Sequence, residues 1–166
     1  MTGRWHHFAL GGLVSLLLVL ATAAFSAWPV WRTLPPGTAV LRLSFTQSGA
    51  RTCRDRTPEE LAALPRNMRQ AQSCERRRAP VYVEMELNGE IAFARSLPPG
   101  GLSGSGPSRV YERFELPAGA YEVTLRLRTD PALQGFTSTA TRTVQLAPAQ
   151  SLAIDYYAEQ GGFVFR

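Results

Sequence analysis

From Phe8 to Trp31 the chain carries no charged residue, a run of 24 in a sequence of 166. A cleavable secretory signal needs an apolar core of about 7–15 residues, whereas a bilayer-spanning helix needs about 20. The run therefore suffices to span. All three tryptophans of the chain, Trp5, Trp28 and Trp31, flank it. A helix from Trp5 to Trp28 rises about 34 Å at ~1.5 Å per residue. That length sets the indoles at headgroup depth, where amphipathic rings gather. Pro29 and the pair Pro35-Pro36 then close the helix and open an extended linker.

The expected organisation is a short cytoplasmic N-terminus over 1–7, a transmembrane signal-anchor over 8–31, a linker over 32–38 and an exported domain over 39–166. The alternative is a cleaved signal, with Ala21-Thr22-Ala23 as the small-residue site. Arg4 on one side is outweighed by Arg32, Arg42 and Arg51 on the other, which mildly opposes export. Long domains nevertheless cross largely regardless of charge. A lone cysteine pair favours an oxidising compartment. The expected location is thus the cytoplasmic (inner) membrane, single-pass, with the C-terminal domain on the periplasmic side.

Beyond the linker, apolar and polar residues alternate, as in strands with one face buried. Leu41, Leu43 and Phe45 alternate with Arg42, Ser44 and Thr46; Val81, Val83, Met85 and Leu87 alternate with Tyr82, Glu84 and Glu86. Asn88-Gly89 is a type I′ hairpin signal, and the returning strand carries Ile91 and Phe93. Further strands are expected over 110–116, over 121–128 with Tyr121, Val123, Leu125 and Leu127 on one face, over 137–146, around Leu152, Ile154 and Tyr156, and at 163–165. Seven or eight short strands with little helical pattern predict an all-β, antiparallel sandwich, with a closed barrel as the alternative. The stretch 98–108 (PPGGLSGSGPS) reads as a flexible, solvated loop.

One segment breaks the rhythm. Thr57-Pro58-Glu59-Glu60 is a capping box with proline at the first helical position, and Pro65 limits the helix to about two turns. Cys53 and Cys74 bracket it. They are the only cysteines, and a structural disulfide is the simplest reading of them. Closing a loop of about 22 residues contributes ~3 kcal/mol in the chain-entropy model. The sharper alternative is a Cu(I) site, since Cys53, Cys74 and Met68 are soft ligands.

All 18 cationic side chains are arginine, and the net charge is +5. Eight of them, Arg51, Arg54, Arg56, Arg66, Arg69, Arg76, Arg77 and Arg78, crowd the basic, Cys-bracketed insertion 51–78, against Asp55, Glu59, Glu60 and Glu75. Guanidinium forks suit carboxylates and phosphates, so these eight are the candidate partner- or anion-binding residues. A codon bias toward arginine explains the composition equally well.

The only histidines, His6 and His7, precede the apolar run. The domain beyond it thus cannot assemble a Ser-His-Asp or Cys-His site, nor a His-based zinc site. Walker-type and GxGxxG loops, CxxC and CxxCH are all missing, and no nucleic-acid motif accompanies the basic segment. Neither enzymatic activity, a cofactor nor nucleic-acid binding is expected. Glu59-Glu60 are explained by the helix dipole, and Glu84 and Glu86 by solvation on a wet strand face.

The segment Phe114-Glu115-Leu116-Pro117-Ala118-Gly119-Ala120-Tyr121 resembles the strand–turn–strand of immunoglobulin-like and transthyretin-like modules. The resemblance implies a fold that mostly binds or scaffolds. The expected function is an interaction or accessory module for an inner-membrane complex, with a protein partner in the same membrane. Anionic lipid or polyanion binding through the arginine-rich insertion is the second reading, and periplasmic Cu(I) carriage the third.

Overall fold

The computed structural model describes residues 3–28 and 34–166, with residues 3–6 given by their backbone alone. Trp31, Pro29, Arg32 and the side chain of Trp5 lie outside the described residues. The chain divides into two units, Met1–Pro35 and Pro36–Arg166.

The first unit is helix α1, Gly3–Ala27. It begins before Phe8 and closes before Trp28, whose N–H still donates to the Ala24 carbonyl at 2.9 Å. Over His7–Ala27 it is long and apolar enough to cross a membrane. Its leucines at 10, 13, 16, 17, 18 and 20 are all exposed. An apolar helix with no buried stripe is stable in hydrocarbon, where every backbone group is satisfied within the helix, and not in water.

The second unit is built from β1 (Thr38–Gln47), β2 (Arg51–Asp55), α2 (Pro58–Ala63), β3 (Gln72–Arg78), β4 (Val81–Leu87), β5 (Glu90–Leu97), β6 (Ser108–Pro117), β7 (Gly119–Arg128), β8 (Ser138–Leu146), β9 (Ser151–Tyr157) and β10 (Gly162–Phe165). Strands β10-β9-β1-β6 form one sheet, β5-β4-β7-β8 a second, and β2-β3 a separate two-stranded ribbon. The inward positions predicted from alternation meet in one core. Leu41, Leu43, Val83, Met85, Leu125, Leu127 and Ile154 are fully buried there. Each such side chain contributes roughly 1.5–3 kcal/mol by leaving water.

Two expectations need correction. The first four-stranded sheet is not purely antiparallel, because β1 and β9 run parallel, Val40–Leu43 against Ser151–Ile154. Alternation reports which face a residue takes and is silent on strand direction. Secondly, ten strands are present among the described residues instead of seven or eight. The extra pair is β2-β3, which flanks the predicted helix inside 51–78; no residue of that insertion is buried, so hydrophobic periodicity could not mark it. Strand β5 carries Ile91 and Phe93 as expected, on opposite faces. A bulge between Met85 and Glu86 sets Phe93 opposite Met85 and Ile91 opposite Glu86, and leaves Ala92 as the extra residue. Ile91 is consequently 62% exposed.

The domain has two unlike ends. At one, Asn88-Gly89 turns β4 into β5 with positive φ of 53° and 83°. Ala118 joins β6 to β7, and 147–150 join β8 to β9. This turn end also receives the chain, since the Ala118 N–H donates to Gly37 O and the Ala149 N–H to Thr38 O, at 2.8 and 2.7 Å. The opposite end carries the connection 48–80 that holds the insertion, the loops 98–107 and 129–137 and the turn 158–161.

Candidate interaction site

The insertion stands on this loop end and holds together without a core of its own. Its middle is the Cys53–Cys74 disulfide, formed between directly opposed residues of β2 and β3. Beyond it, Thr57 accepts from the Glu60 N–H at 3.3 Å and the Thr57 N–H donates to Glu60 Oε2 at 3.1 Å, so the predicted capping box forms. Leu64 is extended at ψ 145°, as the residue before Pro65 must be, and α2 stops.

Four of the eight insertion arginines serve this scaffold. Arg54 grips both Glu60 oxygens at 2.9 and 2.8 Å. These hydrogen bonds, with the one from Thr57 N–H, hold the Glu60 carboxyl down at about 2. Arg69 donates to the Leu64 and Ala62 carbonyls at the end of α2, at 3.0 and 3.4 Å. Arg56 reaches Gln72 O at 3.5 Å.

Arg78, half-buried at the foot of the ribbon, bonds Gly49 O at 3.1 Å and Ser105 O at 3.0 Å, while its N–H donates to Gly104 O at 2.9 Å. The loop 98–107 is therefore docked on the insertion and not simply solvated. It is further pinned by Gly106 N–H to Gly100 O at 2.9 Å and by Ser108, which is buried and donates to Leu97 O at 2.9 Å. Sequence reading missed this, because a run of Gly and Ser shows neither the carbonyls it offers nor the arginine that takes them.

The side chains of Arg51, Arg66, Arg76 and Arg77 remain without an ion-pair or hydrogen-bond partner among the described residues. Gly104, at φ +62°, lies so close to the Arg77 stem that a Cβ would come within 3.2 Å of Cγ. Arg51, Arg76 and Arg77 thus belong to a stapled ribbon braced against a neighbouring loop, and Arg66 to the turn at its far end. Such a surface can pair with carboxylates or phosphates at modest entropic cost, because its backbone is already ordered.

Met68 is 60% exposed near the tip, and both cysteine sulfurs are bonded to each other. Among the described residues no group of three or more His, Cys, Asp or Glu is arranged to hold a metal.

Glu84 and Glu86 do not sit in open solvent. Arg126 from β7 bridges them, at 2.6 Å to Glu84, with a second close pair to Glu86, and their side chains are only 12% and 18% exposed. Tyr82 donates to Glu84 at 2.9 Å, which raises the phenol pKa. Phe136 stacks on Tyr82, and the Arg126 guanidinium lies 5.7 Å from the Phe136 ring centre. Both carboxylates share this one cation, an arrangement that fastens β4 to β7.

No protein-family model, no characterised protein and no solved structure matches this chain significantly, so its function is argued from its own residues.

Proposed function

We propose that this protein is a non-enzymatic, membrane-anchored accessory module whose β-domain engages a protein partner of an inner-membrane complex from the periplasmic side. The supporting observation is the asymmetry of the domain. The insertion, the loops 98–107 and 129–137 and the four free arginines lie at the loop end, opposite the short turns at 88–89, 118 and 147–150. Loops on a rigid scaffold are where binding surfaces concentrate. The apolar α1 supports anchoring, and the Cys53–Cys74 disulfide supports an oxidising, extracytoplasmic compartment.

We read the β-domain as a two-sheet sandwich. Immunoglobulin constant-type domains place their first strand beside the second. Here β1 lies between β9 and β6, which departs from that order.

Binding of anionic headgroups or another polyanion by Arg51, Arg66, Arg76 and Arg77 is the second reading, favoured by their lack of counter-charges. Cu(I) carriage by Cys53, Cys74 and Met68 would need both thiolates free, and we do not carry it forward.

The test is co-purification from native membranes in mild detergent, comparing the wild-type chain with a variant in which Arg51, Arg66, Arg76 and Arg77 become Glu. A stoichiometric partner recovered with wild type and lost with the variant supports the module. Retention of that partner by the variant, or salt-sensitive vesicle binding without any partner, overturns it in favour of another surface or of lipid.

A further inference from the structure

We infer that two copies of this chain pair antiparallel through the free edge of β6, about a twofold axis at Glu112, joining their β10-β9-β1-β6 sheets into one. Strand β6 is an edge of its sheet, ten residues long and in unbroken register with β1. Such an edge is a template for another strand unless a bulge, a short length or a cover blunts it. The other sheet edges differ. Strand β10 has four residues, β5 carries the bulge at Ala92, and β8 has Arg142, which lies over Phe165 of β10, as its one charge.

The alternation of backbone groups along a strand identifies the residues that face this edge. Val40 N–H donates to Gln150 O, toward β9, so Leu41, Leu43 and Phe45 turn their N–H and C=O groups to β6. Their partners there are Phe114, Glu112 and Val110. Arg109, Tyr111, Arg113 and Glu115 therefore direct both backbone groups to the free edge, where no backbone partner meets them among the described residues. Their side chains share the outer face and are exposed.

These four positions are self-complementary in one register. About the axis at Glu112, Arg109 opposes Glu115 of the second copy and Tyr111 opposes Arg113, and each pair occurs twice because the contact is isologous. Among the described residues the Arg109 and Tyr111 side chains have no partner, and Tyr111 is 64% exposed. The pairing gives Arg109 a carboxylate and the Tyr111 ring a guanidinium. The four opposed pairs exchange about eight backbone hydrogen bonds. On the core side Val110 meets Phe114 of the second copy, and each of the two Glu112 carboxylates brings its own cation, Arg95 at 2.7 Å. Sliding one step along the face either way sets Arg109 against Arg113, or Arg113 against itself, and like charges directly opposed repel. None of the insertion's arginines takes part, so the contact is independent of the partner surface proposed above.

The test weighs the full chain in an uncharged detergent by light scattering, with the detergent mass subtracted, across a concentration series at low salt. A dimer is expected. Arg109→Glu and Glu115→Arg should each raise its dissociation constant on the order of tenfold, and the two changes together should restore much of the affinity. Tyr111→Pro removes an N–H that the single copy leaves unused, and should abolish the dimer while melting shows that the fold is kept. Arg142→Glu, on the β8 edge, should leave the dimer unchanged. A monomer at every concentration overturns the inference. So does a dimer that ignores Arg109→Glu, which assigns the contact to α1 or another face, or one that tightens with it, which assigns another register. A double variant no tighter than the single ones overturns it as well.

Discussion

Arg54 holds Glu60 through two hydrogen bonds of 2.9 and 2.8 Å, six residues apart in sequence and across the corner where β2 gives way to α2. The same carboxylate closes the capping box on Thr57, so one side chain joins the ribbon to its helix. The Glu60 carboxyl is lowered to about 2, first by Arg54 and then by the Thr57 N–H. A lowered carboxylate adds order that is complete above its unfolded value, about 4.3, and is lost as pH falls through the folded one. Helix α2 should therefore keep its cap well below pH 4. Arg54→Ala should move the Glu60 titration upward, followed through its side-chain carbonyl by NMR; an unmoved titration would mean that Arg54 does not hold it.

Reducing the Cys53–Cys74 disulfide should loosen the insertion and spare the core. The insertion contains no buried residue, whereas the two sheets share a core that does not depend on it. A pair of Cys→Ser changes should expose the arginine-rich segment to trypsin many times faster. Amide exchange in β1, β4 and β7 should stay slow. Global melting at a much lower temperature would show that the staple serves the whole domain.

Gly49 is a position where backbone crowding requires glycine: a Cβ there would lie 1.9 Å from the Ala79 carbonyl oxygen. This is the foot of the ribbon, where Ala79 N–H donates to Ala50 O at 2.8 Å. Gly49→Ala should destabilise by about 1–3 kcal/mol, as a forced backbone shift does. Chemical denaturation measures it. The same change at Gly89, where nothing stands within 4 Å but φ is +83°, should cost only about 1 kcal/mol.

Arg126→Ala should leave Glu84 and Glu86 repelling each other on one strand face. It should destabilise clearly more than Arg109→Ala. Adding Glu84→Gln and Glu86→Gln to Arg126→Ala should restore part of the stability. Strict additivity in that cycle would deny the cluster any coupling.

Leu43→Ala removes a fully buried side chain from the strand that joins both pairings of its sheet. The expected cost is about 2–5 kcal/mol, depending on how far the site collapses. Leu102→Ala, on the exposed tip of the docked loop, is the comparison and should be near neutral.

Much of this architecture was legible from local pattern. The 24-residue uncharged run marks α1 because hydrocarbon tolerates little else, and strict alternation marks β1, β4 and β7 because a sheet hides one face at a time. Asn88-Gly89, the Thr57 box and Pro65 place turns and caps because each acts through its immediate neighbours. The insertion was legible only through its charge and its cysteines, since a ribbon exposed on both faces has no hydrophobic period to read.

What lay beyond reach were relationships set by register and direction. That β9 runs alongside β1 depends on how the chain crosses between sheets, and a one-residue bulge at Ala92 turns Ile91 outward without any turn residue to announce it. Which arginines carry carboxylates, and which, like Arg42, have none among the described residues, follows from residues tens of positions apart meeting across strands. Charge is a property of each side chain, but its neutralisation belongs to pairs, and only the packed fold says who the partner is.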